Sequence, residues 1–182
     1  MLILASASPR RRELLSYINP DFTAVALDLD ESLPDWMPPR EGVEVLALRK
    51  ARAAAQLYPN DTVIGADTTV ALDGVIYGKP ADEADALRIL RELSGREHMV
   101  YTGVAVISPS GERVFSEETS VRFIEMSDED IRAYVRSGEP MDKAGAYGIQ
   151  GWGALFVSGI RGDFYNVMGL PVCKLAQELR GL

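Results

Sequence analysis

Short apolar runs and amphipathic segments alternate along this 182-residue chain, and Pro and Gly residues separate them. The alternation predicts an α/β fold with a mixed sheet and covering helices, because each helix has an apolar stripe to bury against strands. Residues 21–40, which are rich in Asp and Pro, are predicted to be irregular. The predicted strands are residues 2–5, 61–66, 69–77 (a hairpin), 99–107, 113–116, 120–125 and 155–158, and the predicted helices begin near residues 9, 43, 82, 127 and 171.

The chain contains one His and one Cys, which limits its chemistry. His98 alone cannot build a multi-histidine zinc site, and it is the only imidazole available to a Ser-His or Cys-His arrangement. Cys173 alone excludes an intramolecular disulfide and any Cys-X-X-Cys pattern, which fits a reducing cytoplasm. Chemistry must therefore depend mainly on carboxylates, amines and guanidinium groups.

Net charge and hydropathy limit the kinds of molecule that this chain is expected to bind. With 27 acidic and 19 basic side chains the net charge is −8, which argues against binding to DNA or RNA but allows a small anion held by local cations. No stretch approaches the roughly 20 apolar residues of a transmembrane helix. The first apolar residues precede the first charges, the reverse of a secretory signal. We therefore expect a cytoplasmic protein that binds neither membranes nor polymeric nucleic acid.

The first strand, loop and helix form the strongest local motif. Ser8 is a typical N-cap, and Arg10, Arg11 and Arg12 follow it in the first helical turn. Cations at a helix N-terminus oppose the helix dipole, so an anion such as a phosphate chain would compensate them. The alternative is a solvated basic turn neutralised by Glu13, since the chain has no P-loop sequence here.

Lys50 interrupts the apolar stripe of the helix predicted over residues 43–57. A lysine on an inward helix face either extends its ammonium to solvent or meets an anion. The helix pattern alone leaves both outcomes open.

The hairpin predicted over residues 69–77 turns at Asp73 and Gly74, a typical type I′ pair. Extending that register pairs Thr68 with Lys79, so Asp67 and Lys79 are expected side by side, with Asp67 just beyond a buried strand. A carboxylate there could bind a metal or act as a base. An ordinary structural ion pair is the alternative.

A Gly-rich segment covers residues 139–153. Its glycines let a backbone approach a ligand closely, and its polar members could contact phosphate, metal or base: Asp142, Lys143, Tyr147 and Gln150. The alternative is a mobile surface connection.

Together these segments resemble the Maf-like nucleotide pyrophosphatases over nearly the whole chain, and in particular the subgroup that acts on dTTP and UTP. The matching stretches are LASASPRRRELL, the Asp30-Glu31 pair, LALRKA, IGADTTVALDG, YGKP, LSGREHMVYTGV, DKAGAYGIQG and GDFYNVMGLPV. The resemblance implies an elongated mixed sheet flanked by helices with a deep central cleft, similar to inosine-triphosphate pyrophosphatases. It also implies one domain over residues 1–182, with two lobes around that cleft, and a homodimer.

The activity implied by the resemblance is hydrolysis of a nucleoside triphosphate to the monophosphate and pyrophosphate, with Mg²⁺ or Mn²⁺ assisting attack of water on the α-phosphorus. The implied catalytic residue is Asp67, the implied metal ligands are Glu31 and Asp67, the implied phosphate-binding residues are Ser6, Arg11, Lys50, Lys79 and Lys143, and the implied specificity residues are Arg10, Thr68 and Gln150. Gln150 alone cannot choose between uracil and cytosine, because its amide can flip. The alternative function is a nucleotide-binding regulator of cell division that performs no turnover.

Overall fold

The computed structural model describes residues 1–181. Its strands are β1 Leu2–Ala5, β2 Phe22–Val25, β3 Thr62–Leu72, β4 Val75–Tyr77, β5 Glu97–Ser108, β6 Gly111–Phe123 and β7 Val157–Arg161. Its α-helices are α1 Pro9–Ser16, α2 Pro39–Leu57, α3 Glu83–Leu93, α4 Asp128–Arg136, α5 Phe164–Met168 and α6 Val172–Arg180. Three 3₁₀ helices cover Glu139–Asp142, Ala144–Ala146 and Trp152–Phe156.

The seven strands form one mixed sheet in the order β2-β1-β3-β5-β6-β7, and β4 pairs with β3. β1 is parallel to both β2 and β3, whereas the β3–β4 and β6–β7 pairs are antiparallel. Helix α1 connects β1 to β2, and α2 lies between β2 and β3 in the chain, as parallel neighbours require. The predicted mixed α/β architecture is confirmed.

Side-chain caps begin three of the helices, at or next to their predicted starts. The hydroxyl of Ser8 accepts the Arg11 amide, and the Asp82 carboxylate and the Ser127 hydroxyl cap α3 and α4 in the same way. Each cap satisfies an amide that has no partner within the helix. These boundaries were therefore readable from local sequence.

Several boundaries differ from the prediction. Residues 22–25, predicted to be irregular, form β2 at the edge of the sheet, and α2 begins at Pro39 rather than near residue 43. β3 and β6 are each continuous where the sequence pattern predicted two segments. The strand predicted over residues 155–158 begins instead at Val157, after a 3₁₀ helix. Polar residues within β3 and β6 interrupt the apolar pattern without interrupting the backbone pairing.

The β3–β4 hairpin turns at Asp73 and Gly74, whose φ angles of 51° and 81° are those of a type I′ turn. The predicted pairs Leu72–Val75 and 71–76 are present, but the ladder ends at Val70 with Tyr77. The predicted pairing of Thr68 with Lys79 is therefore wrong. The physical reason is that the carbonyl of Gly78 accepts a hydrogen bond from the amide of Gly145 at 3.1 Å. After β4 the chain therefore pairs with the Gly-rich segment instead of with β3.

The described chain divides into two compact units. Within the described residues, the first unit comprises residues 1–68, 102–117 and 165–181, and the second comprises residues 69–101 and 118–164. No helix in the described part of the chain is long and apolar enough to cross a membrane.

Close packing of α2 organises the core of the first unit. Ala47 and Ala51 are fully buried, and a Cβ added to Gly65 of β3 would lie 2.3 Å from the Ala47 carbonyl oxygen. Only glycine allows helix and strand backbones to approach this closely. This contact brings the helix face that carries Lys50 against the strand that carries Asp67.

Candidate active site

Two carboxylates share one lysine in the first unit. Nζ of Lys50 lies 2.6 Å from Oδ1 of Asp67 and 2.8 Å from Oε1 of Glu31. The side chains of Lys50 and Asp67 are 16% and 14% exposed, whereas that of Glu31 is 56% exposed. Lys50 therefore meets anions instead of extending to solvent, and its partners are Asp67 and Glu31.

Asp67 itself lies within β3 and not beyond the end of a strand, which corrects the sequence-based expectation. It was expected beside Lys79, but the hairpin register that supported this expectation does not extend that far.

Arg11 connects three segments of the same unit. Its Nε donates to the Gly169 carbonyl at 2.8 Å, Nη2 donates to Thr68 Oγ1 at 2.9 Å, and Nη1 donates to Ser6 Oγ at 3.4 Å. Ser6 Oγ also accepts the Ser8 amide at 3.2 Å. The guanidinium fork thus fixes the first loop against β3 and against the residue that follows α5, a geometry that lysine cannot reproduce.

The hydroxyl groups beside Arg11 form a chain with a fixed direction. Thr102 Oγ1 donates to the Asn166 carbonyl at 2.9 Å and lies 2.9 Å from Thr68 Oγ1. Since each hydroxyl has one hydrogen, Thr68 must donate to Thr102 while it accepts from Arg11. Thr68 therefore has only acceptor capacity left for a ligand.

Electrostatics at Arg11 reflect its surroundings. Burial lowers the pKa of Arg11, the charge of Asp67 opposes this effect, and the neighbouring charge of Arg10 adds to it. Arg10 lies partly buried on α1. Because Asp67 and Thr68 are consecutive, the Lys50 cluster and the Arg11 cluster adjoin and form one candidate site in the first unit.

The remaining predicted site residues lie in the second unit. Lys143 Nζ donates to the Glu139 carbonyl at 2.6 Å and to Asp142 Oδ1 at 2.8 Å. The side chains of Lys79 and Gln150 are exposed.

Sequence reasoning missed the structural partners of the predicted residues. Thr102 and Gly169 hold Thr68 and Arg11 in the first unit, and Tyr134 and Glu139 accept the backbone amides of Gly148 and Trp152 in the second. Thr102 and Gly169 lie in stretches that match the family motifs, in positions to which no role was assigned. Their presence in those motifs was therefore the one sequence signal that could have identified Thr102 and Gly169 as structural partners of the site.

His98, the only histidine of the chain, lies buried in an aromatic cluster of the second unit. Its Nε2 lies 2.8 Å from the Tyr147 hydroxyl, and its ring packs edge-on against Phe123 and Tyr147. Burial lowers the pKa of His98 to about 4, so it is neutral at pH 7. Its place in an aromatic cluster indicates a packing role.

The first-unit site combines carboxylate oxygens with several cations, which suits polyanion chemistry. Within residues 1–181 no group of three or more His, Cys, Asp or Glu side chains could hold a metal ion by itself. Glu31 and Asp67 are nevertheless the hard oxygen ligands that Mg²⁺ takes in ones and twos when substrate phosphates supply the rest. The donor set therefore fits a cation that is bound together with a phosphate substrate.

The fold belongs to a known structural class. A HAM1 protein from Coxiella burnetii aligns with 100% of this chain and 98% of that chain, with a TM-score of 0.56 and 16% identity. The Ham1 protein of Staphylococcus aureus aligns with 67% of this chain and 71% of that chain, with a TM-score of 0.50 and 20% identity. At these identities the likeness defines the fold alone.

The sequence defines the family. The family model described as Maf-like protein matches residues 1–182, and the chain belongs to this family. A dTTP/UTP pyrophosphatase from Geobacillus sp. (strain WCH70) is 50% identical over 181 residues, covering 100% of this chain and 97% of that protein. Another, from Symbiobacterium thermophilum, is 53% identical over 178 residues, covering 98% and 92%. The family inferred from the motifs is confirmed.

Proposed function

We propose that this protein hydrolyses dTTP and UTP to the nucleoside monophosphate and pyrophosphate. The observation that carries the proposal is the Lys50, Asp67 and Glu31 cluster, which adjoins the Arg11 fork. Relatives that are about half identical over almost their full length bear the name of this activity. A pair of carboxylates beside concentrated cations is suited to charge stabilisation in phosphoryl transfer.

Asp67 is the proposed proton acceptor. Its Oδ1 is engaged by Lys50 at 2.6 Å, and its second oxygen can take a proton from water as that water attacks the α-phosphorus. The new bond joins the water oxygen to the α-phosphorus, and the bond from that phosphorus to the bridging oxygen breaks. Pyrophosphate leaves with the bridging oxygen. Lys50 keeps the Asp67 carboxylate in place for this transfer.

Glu31 and Asp67 are the residues that would hold a divalent cation, Mg²⁺ or Mn²⁺. A cation bound there supplies positive charge to the triphosphate. Lys50 contacts both carboxylates, so this chain already holds them close together through a single positive charge.

Phosphate binding is proposed for Ser6, Arg11, Lys50, Lys79 and Lys143. A nucleoside triphosphate carries about four negative charges, and positioning it mainly requires cations and directed donors. Arg11 has five N–H groups and uses three of them within the protein, so two remain for an anion.

Pyrimidine choice is proposed for Arg10, Thr68 and Gln150. Thr68 can only accept a hydrogen bond from a ligand, because its own hydrogen is directed to Thr102. The imide N–H of uracil or thymine is a donor of the required kind, and cytosine has no N–H at that position.

The cytoplasmic location and the homodimeric assembly remain predictions.

A nucleotide panel tests the proposal. The wild-type protein, supplied in catalytic amounts with Mg²⁺ or Mn²⁺, is expected to release pyrophosphate from dTTP and UTP over many turnovers and to lose activity in EDTA. Asp67→Asn is expected to reduce kcat by at least about 100-fold, as loss of a general base does, while the circular dichroism spectrum is unchanged. Full activity in Asp67→Asn would exclude the proposed role. Stoichiometric binding without turnover in the wild type would support the regulator instead.

A further inference from the structure

The carboxylate of Glu139 accepts hydrogen bonds from backbone amides later in the Gly-rich segment, in the second unit. Glu139 Oε2 accepts the Trp152 amide at 2.9 Å, and Oε1 accepts the Gly153 amide at 3.1 Å. Oε1 also accepts the hydroxyl of Tyr134 at 2.8 Å. Hydrogen bonds to an ionised acceptor are roughly twice as strong as neutral ones. Glu139 is therefore the anchor for the backbone on the C-terminal side of Gln150.

Tyr134 extends this anchor to the other side of Gln150. Its hydroxyl accepts the Gly148 amide at 3.0 Å while it donates to Glu139, and its side chain is buried in α4. Backbone amides at positions 148, 152 and 153 are thus held directly or through one hydroxyl by the same carboxylate. Gln150 lies two residues from the first two of these anchored positions.

The fit between this carboxylate and the segment is tight. A Cβ added to Gly151 would lie 2.3 Å from Glu139 Oε2, so a side chain at position 151 would displace the carboxylate from its present position. Burial opposes ionisation of Glu139, but the hydrogen bonds from Trp152, Tyr134 and Gly153 outweigh it, and the pKa of Glu139 lies below its ordinary value. The anchor is thus ionised at neutral pH.

We propose that Glu139 is a positioning residue for pyrimidine recognition, which acts by fixing residues 148–153 so that the exposed Gln150 amide meets one edge of the base. The inference rests on the proposed function, in which Gln150 contacts the pyrimidine. Because its amide can flip, Gln150 can contribute to the choice between a 4-oxo and a 4-amino pyrimidine only together with the acceptor Thr68 of the proposed function, and only if a fixed backbone holds the amide on the edge of the base.

The test compares Glu139→Gln with the control Glu125→Gln, an exposed glutamate of the same unit. Glutamine keeps the shape of Glu139 but replaces one carboxylate oxygen by an NH₂ group, so at least one anchored donor loses its acceptor. The main readout is the kcat/KM ratio of dTTP over dCTP, because a ratio does not depend on the fraction of folded enzyme. We expect Glu139→Gln to lower this ratio at least about tenfold, as loss of a charge-assisted hydrogen bond does, and the control to leave it unchanged.

Two further measurements complete the design. Tyr134→Phe removes the link to Gly148 and the hydrogen bond from the hydroxyl to Glu139, but it leaves the amides of Trp152 and Gly153 bound to the carboxylate. Because those two bonds remain, we expect a smaller fall in the ratio, about threefold. Amide hydrogen exchange at Trp152 and Gly153 is expected to accelerate in Glu139→Gln and not in the control. This second readout measures the anchoring directly and is independent of activity.

The outcomes separate the inference from the function on which it rests. If the wild type prefers dTTP over dCTP and Glu139→Gln has the same dTTP/dCTP ratio of kcat/KM, the inference is overturned and the proposed function is left intact. Unchanged amide exchange at both positions also overturns it. A wild-type protein that releases no pyrophosphate from dTTP or UTP refutes the proposed function, and the specificity role of Glu139 is then refuted with it.

Discussion

Replacing Lys50 by Met removes the ammonium that joins two carboxylates. Loss of one partner costs about 3–5 kcal/mol for a buried ion pair and about 0–1 kcal/mol for an exposed pair. The pair with Asp67 is mostly buried, with side chains 16% and 14% exposed, whereas Glu31 is 56% exposed. Between these limits we expect Lys50→Met to lower the free energy of unfolding by about 2–3 kcal/mol. The melting temperature should fall by about 5–10 °C in a chain of this size.

A double-mutant cycle isolates the pair. Lys50→Met leaves Asp67 without its ammonium, whereas the double variant with Asp67→Asn leaves no uncompensated charge at that position. The double variant should therefore be more stable than additivity predicts by at least about 1 kcal/mol, measured by urea denaturation. All three variants should lose pyrophosphatase activity. Strictly additive losses of stability would refute the assigned ion pair.

Two other perturbations test separate parts of the structure. Arg11→Lys keeps the charge but loses the fork to Gly169, Thr68 and Ser6. We expect a loss of about 2–3 kcal/mol in urea denaturation and at least a tenfold fall in kcat/KM; wild-type values would show that charge alone is needed. His98 has a pKa lowered from 6.5 to about 4 in the folded state, so its neutral form stabilises the fold fully above pH 6.5 and this stability is lost as the pH falls towards 4. Relative to His98→Phe, the wild type should lose roughly 3 kcal/mol over that interval, and a difference that is independent of pH would contradict the assignment.

The fold was largely predictable because its signals are local. Caps at Ser8, Asp82 and Ser127 and the turn at Asp73 and Gly74 depend on residues within a few positions of one another. Short edge strand β2 was missed because its four residues are flanked by polar and proline-rich sequence, and none of its side chains is fully buried. Long strands β3 and β6 were each divided in the prediction, since polar residues in mid-strand resemble loop residues.

The residue types of the candidate site were predictable from the sequence, but which of these residues contact one another was less so. Lys50 was correctly expected on an inward face of its helix, because helical periodicity determines that face. Its partnership with Asp67 depends on how closely α2 approaches β3, which Gly65 sets through a contact distant in sequence. Its partnership with Glu31 depends on the irregular segment that precedes α2. The expected partner Lys79 followed from a hairpin register that the Gly145 amide ends early. Contacts between distant segments are therefore what the sequence pattern could not supply.

Hydrolysis of dTTP in ¹⁸O-labelled water tests the central claim most directly. If water attacks the α-phosphorus with help from Asp67, mass spectrometry should find one ¹⁸O in the nucleoside monophosphate and none in the pyrophosphate, over many turnovers per protein molecule. The Asp67→Asn variant should form neither product at a comparable rate. Label in the pyrophosphate, or labelled monophosphate formed at the wild-type rate by Asp67→Asn, would contradict the account.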